Sequence, residues 1–598
     1  MKIEDYGVIG DMHTMALVGI NGSIDWLCVP RFGSDACFAA LLGHEGNGCW
    51  RIWPQGNVLK TRRAYRGNTL VLETEFETET GAVRLVDFMP VNGDNREVVR
   101  IVEGVSGEVA MNMRLLIRFD YGRTVPWVRH LEEGGVIAVA GPNGLTLRTE
   151  VAVRGEDLST VAEFQVKQGE RRTFVLTWYP SHEVPPAQIK IDHALDTTAR
   201  FWETWAGRCT YKGPWRATVL RSLLTLKALT YAPTGGIVAA ATTSLPELIG
   251  GVRNWDYRFC WLRDATFTLY AFMTGGYTEE ALAWGNWLLR AVAGDPAQLQ
   301  IMYGLAGERA LHEFQLNHLS GYENSRPVRV GNAAAEQFQL DVYGEVMDAM
   351  HAARLTGIKT DDPSWHLQRH LIDFVIAHWR DPDEGIWEIR GPRRHFTHSK
   401  VMAWVAMDRA VKAVEQFGLD GDVKTWSSVR LEIHEDICRN GFNPDQGSFT
   451  QFYGSAELDA SLLMMPLVGF LPAHDPRIVA TIEKIERELV MDGLVLRYRT
   501  SSSGHIDGLP PGEGAFLPCS FWLADCFYLM GRSADAKRLF ERLISVSNDL
   551  GLLAEEYDPK AKRQLGNVPQ AFSHVALVNT AHNLSPRTVS PAEERSAV

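Results

Sequence analysis

NTLVLETEFETETGAVRLVDFMPV, residues 68 to 91, alternates apolar and polar side chains, with Gly81 standing at a break. Successive side chains of a strand point to opposite faces, so a period of two marks a half-buried strand and not a helix. The alternation returns in VIAVAGPNGLTLRTEVAV (136–153) and RRTFVLTWYP (171–180), with Gly, Asn and Asp at the breaks of the region. Between about residues 65 and 180 the chain therefore reads as antiparallel strands joined by hairpins, and a β-sandwich is expected there.

From about residue 196 the period lengthens to that of helices. TEEALAWGNWLLRAVAG (278–294) illustrates the class: Thr278 reads as the N-cap, Glu279 and Glu280 fall in the first turn, and Gly294 follows the end. Candidate segments begin near 196, 215, 262, 278, 335, 364, 398, 422, 457, 476, 515, 533 and 569, and roughly twelve such helices are what six helical hairpins closed into a double ring need. No fixed-period repeat supports this, so the ring follows from count and length. The expected organisation is a β-sandwich with linker over 1–195, an (α/α)6 barrel over 196–585 and a Pro-, Ser- and Glu-rich disordered tail over 586–598.

Composition narrows the function. A chain of 598 residues would ordinarily divide into roughly two to four domains. The formal charge of −13, with no Lys/Arg-rich run, argues against nucleic acid or an anionic membrane as partner and favours a neutral small molecule. The eight cysteines form no C-x-x-C pair and no zinc-type spacing, so reduced, buried thiols are expected. MKIEDYGVIGDMHTM carries early acids and no apolar core, unlike a signal peptide, and no run of 18 apolar residues occurs; a cytoplasmic protein is expected. Tryptophan is abundant, 18 residues spread from Trp26 to Trp522; most should pack the core, and some should line a cleft.

Acids in aromatic loops suggest the chemistry. Glycosidic hydrolysis needs two carboxyl groups, one protonated to expel the leaving oxygen and one ionised to activate water or to attack. In DEGIWEIRG (383–391), Glu388 follows Trp387 and lies between Ile386 and Ile389, surroundings that raise a carboxyl pKa, whereas Asp383 and Glu384 read as charges of an exposed turn. The partner is sought in GLLAEEYDP (551–559), where the adjacent Glu555 and Glu556 should face different ways, one into a cleft and one toward solvent or a base. The residues alone leave open which does which. NWDYRFCWLRDATF (254–267) crowds Trp255, Asp256, Arg258, Trp261, Arg263 and Asp264 together, as either a sugar clamp or a structural ion pair. NSRPVRVGNAA (324–334) reads as an extended, arginine-bearing loop able to line a site through Arg326.

Taken together, WLRD (261–264), RPVRVGNAA (326–334), the Trp387–Glu388 loop and AEEYD (554–558) resemble glycoside hydrolase family 15, the glucoamylase-like enzymes, and GSIDWLCVPRFGSDACFAALLG near the start is similar to its bacterial and archaeal members. The resemblance implies a β-sandwich followed by an (α/α)6 barrel, hydrolysis with inversion, Glu388 as general acid and Glu555 as general base. Inversion would place those two carboxyls roughly 6.5 to 9.5 Å apart, leaving room for a water. Arg263 and Asp264 match the pair that grips the attacked glucose, with Trp261, Trp387 and Arg390 nearby. Starch-degrading members carry a second acid after the first, but here Ile389 and Arg390 follow Glu388. That departure, with LQIMYGLAGERALHE (299–313), points to the bacterial trehalase-type subgroup, which cleaves an α,α-1,1 linkage. The resemblance admits phosphate or Mg dependence, although no metal-ligand cluster is legible. Alternatives are an intracellular exo-α-glucosidase on malto- or isomalto-oligosaccharides, a disaccharide phosphorylase, which would not need Glu555, and a catalytically silent carbohydrate-binding relative.

Overall fold

The computed structural model describes residues 1–585, apart from 92, 94, 133, 358, 359 and 501–506, together with residue 593. The tail expected to be disordered at 586–598 otherwise lies outside the described residues.

The stretch 68–91 forms a hairpin in which Leu72–Thr78 pairs antiparallel with Gly81–Phe88, from Leu72 opposite Asp87 to Thr78 opposite Gly81. Burial alternates along Leu72–Thr78 as the sequence pattern requires. Gly81 lies opposite Gly107 on the next strand, and a Cβ on either would collide with a carbonyl oxygen of the other's chain segment, at Ser106 and Thr80. That next strand, Arg96–Leu116, runs 21 residues and joins two sets of strands. Its first part pairs with Gly81–Phe88 and Arg171–Pro180, and its later part with Cys49–Pro54 and Ser159–Lys167. Strands also occur before the alternating region that starts near residue 65. Tyr6–Gly10, Met15–Gly19 and Ser23–Cys28 are strands buried at every position, so they show no alternation for a period-two reading to detect.

Among the described residues twelve helices of at least twelve residues follow: α1 (Ile191–Gly207), α2 (Arg216–Ala228), α3 (Leu262–Gly275), α4 (Thr278–Ala291), α5 (Asp341–Leu355), α6 (Asp362–His378), α7 (Thr397–Phe417), α8 (Val423–Asn440), α9 (Pro476–Glu488), α10 (Leu517–Leu529), α11 (Ser533–Ile544) and α12 (Ala571–Asn583). α5, α7, α10 and α12 are buried around most of their circumference. α9 shows the other type, burying the single stripe Ile478, Thr481, Ile482 and Ile485. α5 packs between α3 and α7, and α12 packs against α2, α3 and α10. The helical part is thus an inner set of buried helices clothed by amphipathic ones. Thr278 is the first helical residue of α4, with Tyr277 at the cap position and no side-chain cap bond, so the expected N-cap is displaced by one.

The two parts are joined by a buried charge. Arg258 donates through Nε and Nη2 to Asp256 at 2.9 and 2.7 Å, through Nη2 to the Tyr121 hydroxyl at 2.8 Å, and through Nη1 to the Ser34 carbonyl at 3.0 Å. Trp26 of the β domain donates its indole N–H to the Ala241 carbonyl at 2.9 Å. The arginine-rich segment 254–267 therefore divides: Asp256 and Arg258 form the structural ion pair facing the β domain, while Arg263 and Asp264 face elsewhere. Arg258→Met would strand the fully buried Asp256 carboxylate. Breaking such a pair costs about 3–5 kcal/mol, so the denaturation midpoint should drop sharply, with partial recovery in the Arg258→Met/Asp256→Asn double variant. A midpoint unchanged in Arg258→Met would show that the brace contributes nothing.

Candidate active site

A cleft is lined by Trp255, Tyr257, Trp261, Arg263, Asp264, Trp387, Glu388 and Arg390, with Glu247, Arg253, Arg497 and Asp507 among the further charged residues. The segment 254–264 reaches it by a short bridge, Cys260–Trp261 paired with Met302–Tyr303, after which Trp261 turns extended and α3 begins. Asp264 falls in the first turn of α3, where the helix dipole favours an acid. Arg263 donates Nε to Asp264 at 3.0 Å and Nη1 to the Ile386 carbonyl at 2.8 Å.

Glu388 closes the other side of the cleft. Trp261 donates its indole N–H to Glu388 Oε1 at 2.7 Å, and Arg263 Nη2 stands 3.8 Å from the same oxygen. Glu388 takes a φ of +56°, a left-handed conformation that costs a non-glycine residue roughly 1–3 kcal/mol. The surrounding bonds hold it there. Gln337 donates to the Glu388 and Ile389 carbonyls at 3.3 and 2.9 Å, and the Arg390 amide donates to the Asp507 carbonyl at 2.9 Å. The Trp387 indole donates to both oxygens of buried Asp459, at 2.9 and 3.0 Å. Burial raises the Glu388 pKa and the Arg263 guanidinium opposes the rise.

The two adjacent glutamates diverge, but both are buried and neither is among the residues that line the cleft. Glu556 turns to the Gly514 amide at 2.7 Å and lies 3.6 Å from Arg497, while Glu555 accepts from the Asn567 amide at 3.2 Å. Glu555 is buried just behind the cleft lining, and Tyr257, which does line it, lies within the field of Glu555, Glu247 and Glu388. Burial, then the neighbouring Glu247, push the Glu555 carboxyl up to about 8, against the pull of Arg497. Glu247 is fixed by the Trp255 indole at 3.1 Å and by Arg497 at 2.7 Å. Among the described residues Glu247, Glu513 and Glu556 are the three acids close enough together to hold a cation. Arg497 Nη2 lies 2.7, 2.7 and 3.6 Å from them, so a guanidinium already supplies the positive charge and the cluster does not suit a divalent ion.

Several readings from the sequence change. Asp383 is fully buried, not an exposed turn charge; it accepts from the Leu340 amide at 3.0 Å, and burial with Asp341 nearby lifts its carboxyl to about 7. Glu384 accepts from the Phe338 amide and from Arg393, both at 2.9 Å. Both acids tie down the chain entering α5, because its backbone donors need acceptors. Arg326 is exposed and outside the cleft lining, whereas Arg329, three positions on, stacks 4.4 Å from the Trp255 ring centroid and bonds the Val252 and Asn254 carbonyls. Tyr257, Glu247, Arg253 and Arg497 were missed. Tyr257 lay within the segment already singled out, and Glu247 is a lone acid in the Pro- and Gly-punctuated SLPELIGG; Arg253 and Arg497 carry no such signal.

Comparison with known proteins adds the following. Residues 213–582 match the family model of glycosyl hydrolases family 15, and residues 1–180 match that of the trehalase-like N-terminal domain. The chain is 40% identical to a trehalase of Mycolicibacterium smegmatis, covering 96% of this chain and 90% of that one. It is 35% identical to a trehalase of Thermoplasma acidophilum, covering 95% and 98%. A bacterial glucoamylase solved in complex with acarbose superposes with a TM-score of 0.71 at 12% identity, over 98% of this chain and 94% of that one, a likeness of fold.

The backbone beside Glu555 allows a direct check of how tightly the cleft is built. Gly566 has a φ of +73°, and a Cβ there would lie 2.5 Å from Glu555 Oε2. Gly566→Ala should lower stability by roughly 1–3 kcal/mol, read as a reduced melting temperature. An unshifted melt would mean that the Glu555 side chain has slack the packing does not show.

Proposed function

The chain belongs to glycosyl hydrolase family 15 and is an O-glycosyl hydrolase acting on a sugar, and from that premise we propose that it hydrolyses α,α-trehalose to two glucose molecules with inversion. The observation that carries the reaction class is the Trp261–Glu388 contact. It joins two motifs 127 residues apart and sets a carboxyl at the cleft wall next to the Arg263–Asp264 pair. The choice of trehalose rests on near-full-length relatives bearing the name trehalase.

In this reading Arg263 and Asp264 grip the outer hydroxyls of the attacked glucose, with Trp261 and Trp387 forming its apolar walls. Glu388, whose pKa burial raises, gives its proton to the linking oxygen. Glu555, held by the Asn567 amide, takes a proton from the water that attacks the opposite face of the sugar. For Glu555 to act it must be ionised, a state that the nearby Arg497 guanidinium favours. The architecture proposed is a β-sandwich with linker over 1–195 and an (α/α)6 barrel over 196–585, α2, α3, α5, α7, α10 and α12 lining its inside. None of the described helices is long and apolar enough to cross a membrane, and a cytoplasmic setting suits a small soluble disaccharide.

Glu388→Gln and Glu555→Gln should each slow glucose release from trehalose by at least ~10²-fold while leaving the fold intact, since general acid–base catalysis contributes about 10²–10⁴-fold. NMR of the first product should show β-glucose from the attacked ring. Near-wild-type turnover in either variant removes that residue from the mechanism, and glucose 1-phosphate formed in phosphate buffer would favour a phosphorylase.

A second test uses pH. The base must lose its proton to work, so activity rises as pH increases through the Glu555 pKa, and the Glu247 anion holds that pKa up. Glu247→Gln removes the anion and leaves Arg497 less neutralised, so the acid limb of kcat/KM should move to lower pH. A limb that stays in place or moves upward assigns it to a different group.

A further inference from the structure

Helix α6, DPSWHLQRHLIDFVIAH, buries Trp365, Gln368, Leu371, Ile372 and Val375 and leaves Asp362, His366, Arg369, His370 and Asp373 exposed on its other face. Residues four apart on a helix are neighbours on its surface, so His366 and His370 stand side by side. The backbone beneath them is well fixed. Asp361 caps the helix by accepting from the Ser364 amide at 2.9 Å, the Trp365 indole donates to the Asp420 carbonyl at 2.9 Å, and Gln368 accepts from Arg354 at 2.8 Å. No residue of α6 is among those that line the cleft.

The Nε2 atoms of the two rings are 3.0 Å apart, with ring centres 4.5 Å apart and planes at 90°, so the rings approach at an angle and not end to end. Two imidazole nitrogens bound to one ion at about 2.0–2.1 Å are themselves about 2.9 Å apart at a right angle and about 3.3 Å apart at the tetrahedral angle. The spacing present is that of the right angle. Asp362, four positions before His366, and Asp373, three after His370, add negative charge on the same face, while the Arg369 guanidinium between them is offset by Asp420 at 3.5 Å. A cation is therefore favoured at the pair. Imidazole suits copper, nickel and zinc, whereas magnesium takes oxygen ligands.

We propose that His366 and His370 form a surface site, remote from the cleft, for a divalent transition ion, with Cu²⁺ and Ni²⁺ preferred over Zn²⁺ and with Mg²⁺ excluded. Without an ion, one ring donates its Nε2 proton to the Nε2 of the other. On binding, that proton moves through solvent to Nδ1 of its own ring, both Nε2 lone pairs bind the ion, and water fills the remaining positions. The test dialyses the metal-free full chain against Cu²⁺, Ni²⁺, Zn²⁺ or Mg²⁺ for wild type, His366→Ala, His370→Ala and the double variant. His378→Ala serves as control, since His378 with Asp381, 2.8 Å away, is another surface pair that includes a histidine. Loss of even an outer partner of a metal ligand costs about 10–100-fold in affinity. Each single variant should therefore bind Cu²⁺ at least ~10-fold more weakly than wild type, and His378→Ala should bind as wild type does.

Electron paramagnetic resonance of the Cu²⁺ form gives a readout independent of affinity: coupling to two nitrogen donors in wild type, reduced to one in either single variant. Both rings are exposed, so thermal melts in chelator should coincide for all the variants. If an alanine variant melts lower, the glutamine variant at the same position, which keeps a polar side chain there, must lose the ion all the same. Glucose release in chelator should be unchanged in the double variant, because the pair lies outside the cleft. Cu²⁺ bound equally by wild type and the double variant overturns the proposal, and so does a loss confined to His378→Ala. Mg²⁺ bound by wild type and lost in the double variant overturns the assigned ion class.

Discussion

The indole N–H of Trp261, 2.7 Å from Glu388 Oε1, is the contact on which the cleft depends. A carboxyl held in a left-handed backbone conformation persists only where the surroundings over-determine it. Trp261 does this from the start of α3, Arg263 from the same turn through the Ile386 carbonyl, and Asp459 from farther along the chain through the neighbouring Trp387. Each anchor is itself buried or bonded, so the acid sits on a rigid frame and not on a free loop. Arg258 and Asp256 extend that frame to the β domain, because the ion pair lies in the segment that delivers Trp261.

The second constraint is electrostatic. Glu247 lines the cleft, and Glu513, Glu555 and Glu556 crowd behind it, with Arg253 and Arg497 as the neighbouring cations. Burial makes each anion costly, and the guanidinium groups offset that cost without cancelling it. The surplus raises the carboxyl pKa values of Glu247, Glu555 and Glu556. The same crowding explains why a set of glutamates close enough to hold a metal closes instead around an arginine.

Much of the fold was legible because it follows from local periodicity. Residues 72 to 88 alternate and form a hairpin, and the helices begin close to where the longer period starts. The strands between Tyr6 and Cys28 were not legible, since strands buried on both faces lose the alternation that reveals them. At the cleft, Glu388, Trp261, Arg263, Asp264, Trp387 and Arg390 were singled out and are brought together. Arg326 was singled out and lies apart, while Arg329 carries the contact with Trp255. The same loop holds both, and nothing in its composition says which arginine turns inward.

Residue types and their spacing determined, without any coordinates, the order of β and helical regions and the acids worth attention, because hydrophobic period and motif chemistry are local properties, and the resemblance of several motifs together supplied the family. The tertiary structure alone decided that Asp383 is buried, that Arg258 braces the domains while Arg263 faces the cleft, and that Tyr257, Glu247 and Arg497 surround Glu555. Those outcomes turn on which side chains separated by hundreds of positions share a low-dielectric space, and charge in such a space is set by its neighbours in three dimensions, not by its neighbours along the chain.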